Sequence, residues 1–366
     1  MNETMRAAVF RGVGRIDVET RPIPSCPPDG LLLKVHFCGI CGGDFRNYRN
    51  GLKGGVTDQI MGHEIAGEIV EVGAQTTGWH VGDRVALAPD VSCGRCWYCK
   101  RGLVNLCTQH KMLGTHFPGG FAQYLALPKQ VLEHGFVEPI PDDMSYEHAA
   151  FAEAAAGVVA CQKRFDISAG QTVLVIGDGP IGCLHVEMAR ARGARVILAA
   201  RGKIDQASAF APDVLVDNHD PNAATAQILA ATGGLGADVA ILAVPNVQAQ
   251  SQALAAVRKR GTVIIYGGAP KTAALSELDS NLIHYNELIV TGSFSYSATG
   301  LEDALAAIHS RQIHAEKYLG AVISLDELPD ALPRRTHTDA LKILVDPWKA
   351  DQTPTTTGGG KSDVRN

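Results

Sequence analysis

The spacing of apolar positions changes near residue 140, and the change predicts two kinds of domain. Before that point the apolar residues fall in short runs broken by glycine and proline. Residues 6–10 and 31–37 read as strands, and Pro22, Pro24, Pro27, Pro28 and Gly30 punctuate the link between them. Gly62, Gly67 and Gly73 frame a turn feeding a strand; residues 81–85 are another turn and strand, and residues 119–127 alternate into one more. Many short strands with Gly/Pro turns predict a barrel-like β domain. From residue 145 the period is helical, and residues 145–164 form an Ala-rich helix. A buried strand at 172–176, a helix at 180–192 and a strand at 195–199 follow. Further strands are predicted at 214–216, 239–243, 262–266 and 288–291, with helical stretches between. That alternation predicts a doubly wound α/β domain with a mostly parallel sheet. A helix at 301–310 and strands at 321–324 and 341–345 return the chain to the first domain. The expected division is therefore 1–148 with 293–348, then 149–292, with a disordered tail at 349–366 that has almost no apolar content.

Composition narrows the class. The chain has 366 residues, 46% hydrophobic and 19% charged, enough to bury large cores. Its net charge of -5 offers no basic face for nucleic acid. No apolar run reaches the roughly 18–20 residues that span a bilayer, and the N-terminal residues lack an apolar signal core. The cytoplasm is the expected location.

Chemistry enters with the cysteines. Cys93, Cys96, Cys99 and Cys107 stand in C-x2-C-x2-C-x7-C spacing within one short loop. Thiolates so spaced can converge on one tetrahedral ion, and four sulfurs leave no position for water or substrate, so the loop reads as a structural zinc site. Two disulfides are the competing reading. Of nine cysteines the remaining five (Cys26, Cys38, Cys41, Cys161 and Cys183) are odd in number, which argues against a disulfide framework. Cys38 reads as a buried strand residue. Gly177-Asp178-Gly179-Pro180-Ile181-Gly182 follows the strand at 172–176 and opens a helix, the context that gives G-x-G-x-x-G its meaning as a dinucleotide turn. The end of the next strand reads Ala200-Arg201 where an NAD site usually carries an acid. An arginine there would pair with a 2′-phosphate, so NADP(H) is favoured and NAD(H) is left open. Cys41, His63 and Glu64 supply the mixed S, N and O donors of an open catalytic zinc.

Taken together, GICGGD at 39–44, GHEIAGEIVEVG at 62–73, VGDRV at 81–85, the cysteine loop and GDGPIG at 177–182 resemble the zinc-dependent medium-chain dehydrogenases. The likeness is to the branch with sorbitol-type polyol, threonine and sugar dehydrogenases, and it runs from about residue 6 to 347. The resemblance implies an α/β protein with a GroES-like catalytic domain interrupted by a Rossmann domain. It implies two zincs per subunit, one held by Cys41 and His63 with Glu64, Glu153 or water, the other by the four loop cysteines. Asp44 would orient His63. Asp178, Gly267, Ser293 and Phe294 would join the glycines, Ala200 and Arg201 at the cofactor. The implied reaction is hydride transfer between a secondary alcohol of a polyol, sugar or cyclitol and a nicotinamide, in a homodimer or homotetramer. A reductase of simple aldehydes or ketones, and a non-catalytic zinc- and nucleotide-binding relative, are the alternatives. Two departures bear on proton transfer. Gly43 stands where relatives carry Ser or Thr, and Arg46 where many carry His. Zinc-bound water, Glu64, Glu153 or the Tyr48 hydroxyl would then have to serve.

Overall fold

The computed structural model describes residues 4–334 and 340–350. The tail expected at 349–366 therefore lies, from residue 351 on, outside the described residues.

Six parallel strands form one sheet. In spatial order they are Val214–Asp217, Arg195–Ala200, Thr172–Ile176, Ala237–Leu242, Val257–Ile265 and Ile289–Gly292. The chain runs outward through its first three strands and then crosses back, so the order reverses between Thr172–Ile176 and Ala237–Leu242, the arrangement in which open parallel sheets bind nucleotides outside their carboxyl ends. Val173, Leu174, Val175 and Ile176 are all buried, as a strand covered by helices on both faces requires. Helix Pro180–Ala191 begins directly after the glycine turn. Gly177 has φ 123°, and a Cβ on Gly182 would lie 1.8 Å from the Gly177 carbonyl oxygen. The first position needs a backbone that only glycine adopts freely, and the second fixes how closely helix and turn pack.

The remaining strands are mainly antiparallel. Strand Leu31–Gly39 lies between Glu64–Val72 and Lys342–Val345 in a seven-stranded sheet. Helix Tyr146–Arg164, capped by the Ser145 hydroxyl, packs on strand Glu64–Val72, on helix Pro180–Ala191 and on the later helix Gly300–His309. It is the shared wall of both halves, and its alanines make the close approach possible: Ala149, Ala150, Ala152, Ala155 and Ala156 are all at most 1% exposed.

Three elements depart from expectation. Arg15–Pro22 is a strand paired with Thr4–Gly12, although the prolines after it suggested only a link. Its charged residues face outward, where Arg11, Arg21, Glu19 and Asp58 pair with one another. Gly42–Asn50 is a helix that no apolar periodicity announces. Its first turn is held by Asp44, whose carboxylate accepts from the Cys41 N–H at 2.8 Å. The run at 119–127 is a strand only at Tyr124–Leu127, because the N–H groups of Gly119 and Phe121 bond to the carbonyls of Ile60 and Met61.

Candidate active site

Three chain segments deliver the first metal-binding cluster. Cys41 precedes helix Gly42–Asn50, His63 ends the turn at Gly62, and Glu64 starts the strand Glu64–Val72. One ligand atom from each lies within 4.8 Å of the others. Asp44, buried, stands 3.2 Å from His63 Nδ1 and so fixes the ring with Nε2 free for a ligand. Burial disfavours the charged imidazolium, but the Asp44 carboxylate and the Cys41 thiol outweigh it and push His63 well up. Lys342, itself buried, bonds Glu64 Oε1 and the Ile40 carbonyl. Glu64 Oε2 is buried and has no hydrogen-bond partner among the described residues. An orphaned carboxylate oxygen costs free energy unless a cation or donor meets it. With sulfur and imidazole beside it, the donor set fits zinc. Sequence reading missed Lys342, since nothing near it resembles a motif.

Glu153 is not among those three gathered donors. It lies half-buried on helix Tyr146–Arg164, where Tyr296 Oη donates to Glu153 Oε1 at 3.2 Å. Burial and the neighbouring Glu64 carboxylate push the Glu153 carboxyl up to about 7. Tyr296 is a site residue that the sequence reading missed. Tyr48 must be withdrawn as a source of a proton-carrying hydroxyl. Its Oη donates to the Gly14 carbonyl at 2.6 Å, and neighbouring Arg46 is exposed. At Gly43 an added Cβ would rest 3.4 Å from His63 Cε1, an ordinary contact, so the site has room for a side chain that this chain lacks.

The second cluster gathers Cys93, Cys96, Cys99 and Cys107. The Cys93–Cys99 and Cys96–Cys99 sulfurs are 3.9 and 3.4 Å apart. Tetrahedral zinc with bonds of about 2.3 Å sets its sulfurs about 3.8 Å apart, so the loop fits the ion. The N–H groups of Cys99 and Thr108 hold the Cys96 thiol down to about 5, in its ligating form. All nine cysteines are free, which removes the disulfide alternative.

The dinucleotide cleft opens at the end of the parallel sheet and is lined in part by Gly177, Asp178, Arg201, Asn218, Val244 and Gln252. Gly179 caps the helix that starts at Pro180, with Ile181 in its first turn, and no atom lies within 4 Å of where its Cβ would be. Asp178 does not simply face the cleft. Its Oδ2 accepts from the N–H groups of Arg201, Gly202 and Lys203 at 3.0, 2.7 and 2.6 Å. It therefore braces the loop that carries Arg201, while Ala200 is buried at the strand end. Asn218 and Gln252 bond each other across the cleft wall and were also missed. Gly267 turns the chain against Val244, whose carbonyl oxygen would lie 2.5 Å from an added Cβ. Ser293 is buried after the last parallel strand; the Phe294 side chain is 63% exposed, and its carbonyl accepts from Asn105 Nδ2 at 2.7 Å. Phe294 thus meets the cysteine loop.

Comparison with known proteins agrees with this geometry. The alcohol dehydrogenase GroES-like domain matches residues 27–142, and the zinc-binding dehydrogenase family matches residues 180–310. The sorbitol dehydrogenase of Bacillus subtilis (strain 168) is 33% identical over 360 residues, covering 94% of this chain and 98% of that one. The sorbitol dehydrogenase of Bombyx mori is 32% identical, covering 93% and 97%. A zinc-binding dehydrogenase of Sinorhizobium meliloti 1021, solved with NADP bound, superposes with a TM-score of 0.85 at 33% identity, covering 94% and 99%. The fold is a GroES-like domain joined to a Rossmann-type sheet, and the chain belongs to the zinc-dependent medium-chain dehydrogenases. It is an NAD(P)-dependent alcohol dehydrogenase acting on a small molecule. Among the described residues no helix is long and apolar enough to cross a membrane.

Proposed function

We propose that this protein is a polyol or sugar dehydrogenase that moves hydride between a secondary carbinol carbon and NADP(H). The donor set Cys41, His63 and Glu64, with its unpaired Glu64 oxygen, carries the reading. Zinc bound there supplies Lewis acidity toward a substrate oxygen. Asp44 holds the His63 ring in one orientation, and Lys342 leaves one Glu64 oxygen free. Glu153 and Tyr296 offer a carboxylate acceptor and a hydroxyl beside the site, which suits a substrate with several hydroxyls better than a simple aldehyde or ketone. The two sorbitol dehydrogenases support the same class.

Residues 1–148 and 293–348 would form the catalytic domain and 149–292 the dinucleotide domain. Each subunit would bind two zincs, the second in the closed cysteine loop. A homodimer or homotetramer fits the exposed sheet edge at Ile289–Gly292, where Ile289 is 56% exposed. Free cysteines throughout fit a cytoplasmic protein.

Metal analysis tests the site. Wild type is expected to carry two zincs per subunit and Cys41→Ala one, and only wild type is expected to oxidise members of a polyol and sugar panel. One zinc in both proteins would make Cys41 and His63 core residues and end the reading of this cluster as a catalytic zinc site. Cofactor choice is tested separately. An arginine–phosphate hydrogen bond contributes about 1.5–3 kcal/mol, so Arg201→Ala should raise the KM for NADP by about 10- to 100-fold and leave that for NAD nearly unchanged. Equal effects on both cofactors would remove Arg201 from the 2′-phosphate site.

A further inference from the structure

The strap that follows the parallel sheet, residues 293–296, contains an unusual residue. Ser295 has φ 53°, a left-handed conformation that costs free energy in any residue with a Cβ. Such a conformation persists only where its surroundings fix it. Here two of the contacts come from the cysteine loop and the strand that enters it. On the N-terminal side Asn105, in the turn Val104–Leu106 just before Cys107, donates to the Phe294 carbonyl at 2.7 Å. At Ser295 itself, Oγ donates to Oδ2 of buried Asp90, in the strand Asp90–Val91 just before Cys93. Asp90 Oδ1 is in turn 2.9 Å from His110 Nε2, though out of line for a hydrogen bond. On the C-terminal side Tyr296 is buried, packs edge-on against Phe136 at 5.0 Å, and puts its hydroxyl on Glu153.

We propose that Ser295 is a positioning residue through which the cysteine loop holds Tyr296 against Glu153. The loop would then do more than stabilise the fold. Asp90 and Asn105 would carry its geometry to a hydroxyl beside the reacting atoms, more than 100 residues away in sequence in the case of Asn105 to Phe294. The inference rests on the polyol reading only for its activity measurement.

The test compares Ser295→Ala, Ser295→Asn and Asp90→Asn in the zinc-loaded enzyme. Alanine removes the hydroxyl and disfavours the left-handed backbone. Asparagine tolerates that backbone and can donate to Asp90. Ser295→Ala should lower kcat/KM for polyol about tenfold and cost some stability, since buried Asp90 loses a donor, with the KM for NADP(H) and the zinc content unchanged. Ser295→Asn should recover most of the loss. Asp90→Asn, which keeps an acceptor for the Ser295 hydroxyl, should fall between them. A crystal structure of Ser295→Ala should show the 3.2 Å Tyr296–Glu153 bond broken. That bond retained in Ser295→Ala, or broken without loss of turnover, overturns the proposal; so do Ala and Asn variants that are equally impaired. If wild type turns over no polyol, the functional reading fails, and the crystal structure alone decides the role of Ser295.

Discussion

Gly39→Ala is expected to carry one zinc per subunit instead of two and to lose activity by more than about a thousandfold, roughly 4 kcal/mol of transition-state stabilisation. Gly39 pairs directly with Glu64 across the antiparallel ladder. A Cβ at this position would lie 1.9 Å from Glu64 Oε2, the buried oxygen that no protein donor meets. The backbone cannot retreat, because strand Leu31–Gly39 is bonded on one side to Glu64–Val72 and on the other to Lys342–Val345. Glu64 cannot rotate freely either, because Lys342 holds its other oxygen. The carboxylate must therefore leave the position that completes the Cys41–His63 donor set. The four cysteines of the second cluster are untouched, so the remaining zinc should resist exchange. Elemental analysis and a polyol assay read the two effects together. Two retained zincs with unchanged turnover would mean that Glu64 Oε2 faces no metal.

The parts of this site that were legible in the sequence share one property: their residues are close together in the chain. The glycine turn at Gly177–Gly182 is read correctly because strand, turn and helix are consecutive, and the strand Thr172–Ile176 has the expected bounds. The four loop cysteines span few residues, and their spacing alone predicts that they gather, as they do. Cys41 with Asp44, and His63 with Glu64, form two local words that the fold brings together. What could not be read are pairs made by the fold alone. Lys342 is 278 residues from the Glu64 it holds, and Ser295 is 205 from Asp90. No periodicity or spacing encodes such pairs, since each partner alone looks like an ordinary strand or turn residue. Tyr48 misled for the complementary reason. It lies close to Gly43 in sequence, but a helix turns its hydroxyl toward Gly14. Asp178 shows a third case, in which the residue was found but its partner was not: its carboxylate serves the Arg201 loop.

The largest expected effect on stability is at Glu187, which no motif marks. Glu187→Ala should cost about 3 kcal/mol, as expected when one partner of a buried charged network is removed. Glu187 lies on helix Pro180–Ala191, the helix that begins at the dinucleotide turn, and is buried. Its two oxygens accept from His314 Nδ1 at 2.9 Å, the His314 N–H at 3.3 Å, Lys317 Nζ at 3.1 Å and Tyr318 Oη at 2.8 Å. All four donors come from the segment entering the strand Leu319–Ile323, so one carboxylate ties the dinucleotide-binding helix to the returning part of the chain. His314 and Lys317 are partly exposed and can turn to water, which limits the loss. Tyr318 cannot: it is 1% exposed, with its ring against Phe151 and Phe210 at 4.7 and 4.8 Å. Its hydroxyl would be left unsatisfied in the core, and the deleted side chain would leave a cavity beside it. For domains of this size a loss of about 3 kcal/mol lowers the melting temperature by roughly 6–12 °C. Glu187→Gln keeps an acceptor for Tyr318 and should fall between alanine and wild type. Zinc content and turnover at 25 °C should be unchanged in both variants, which separates this contact from those of the active site. A melting temperature within about a degree of wild type for Glu187→Ala would show that the network contributes no net stability, the outcome known for some buried ion pairs whose desolvation cost matches their attraction.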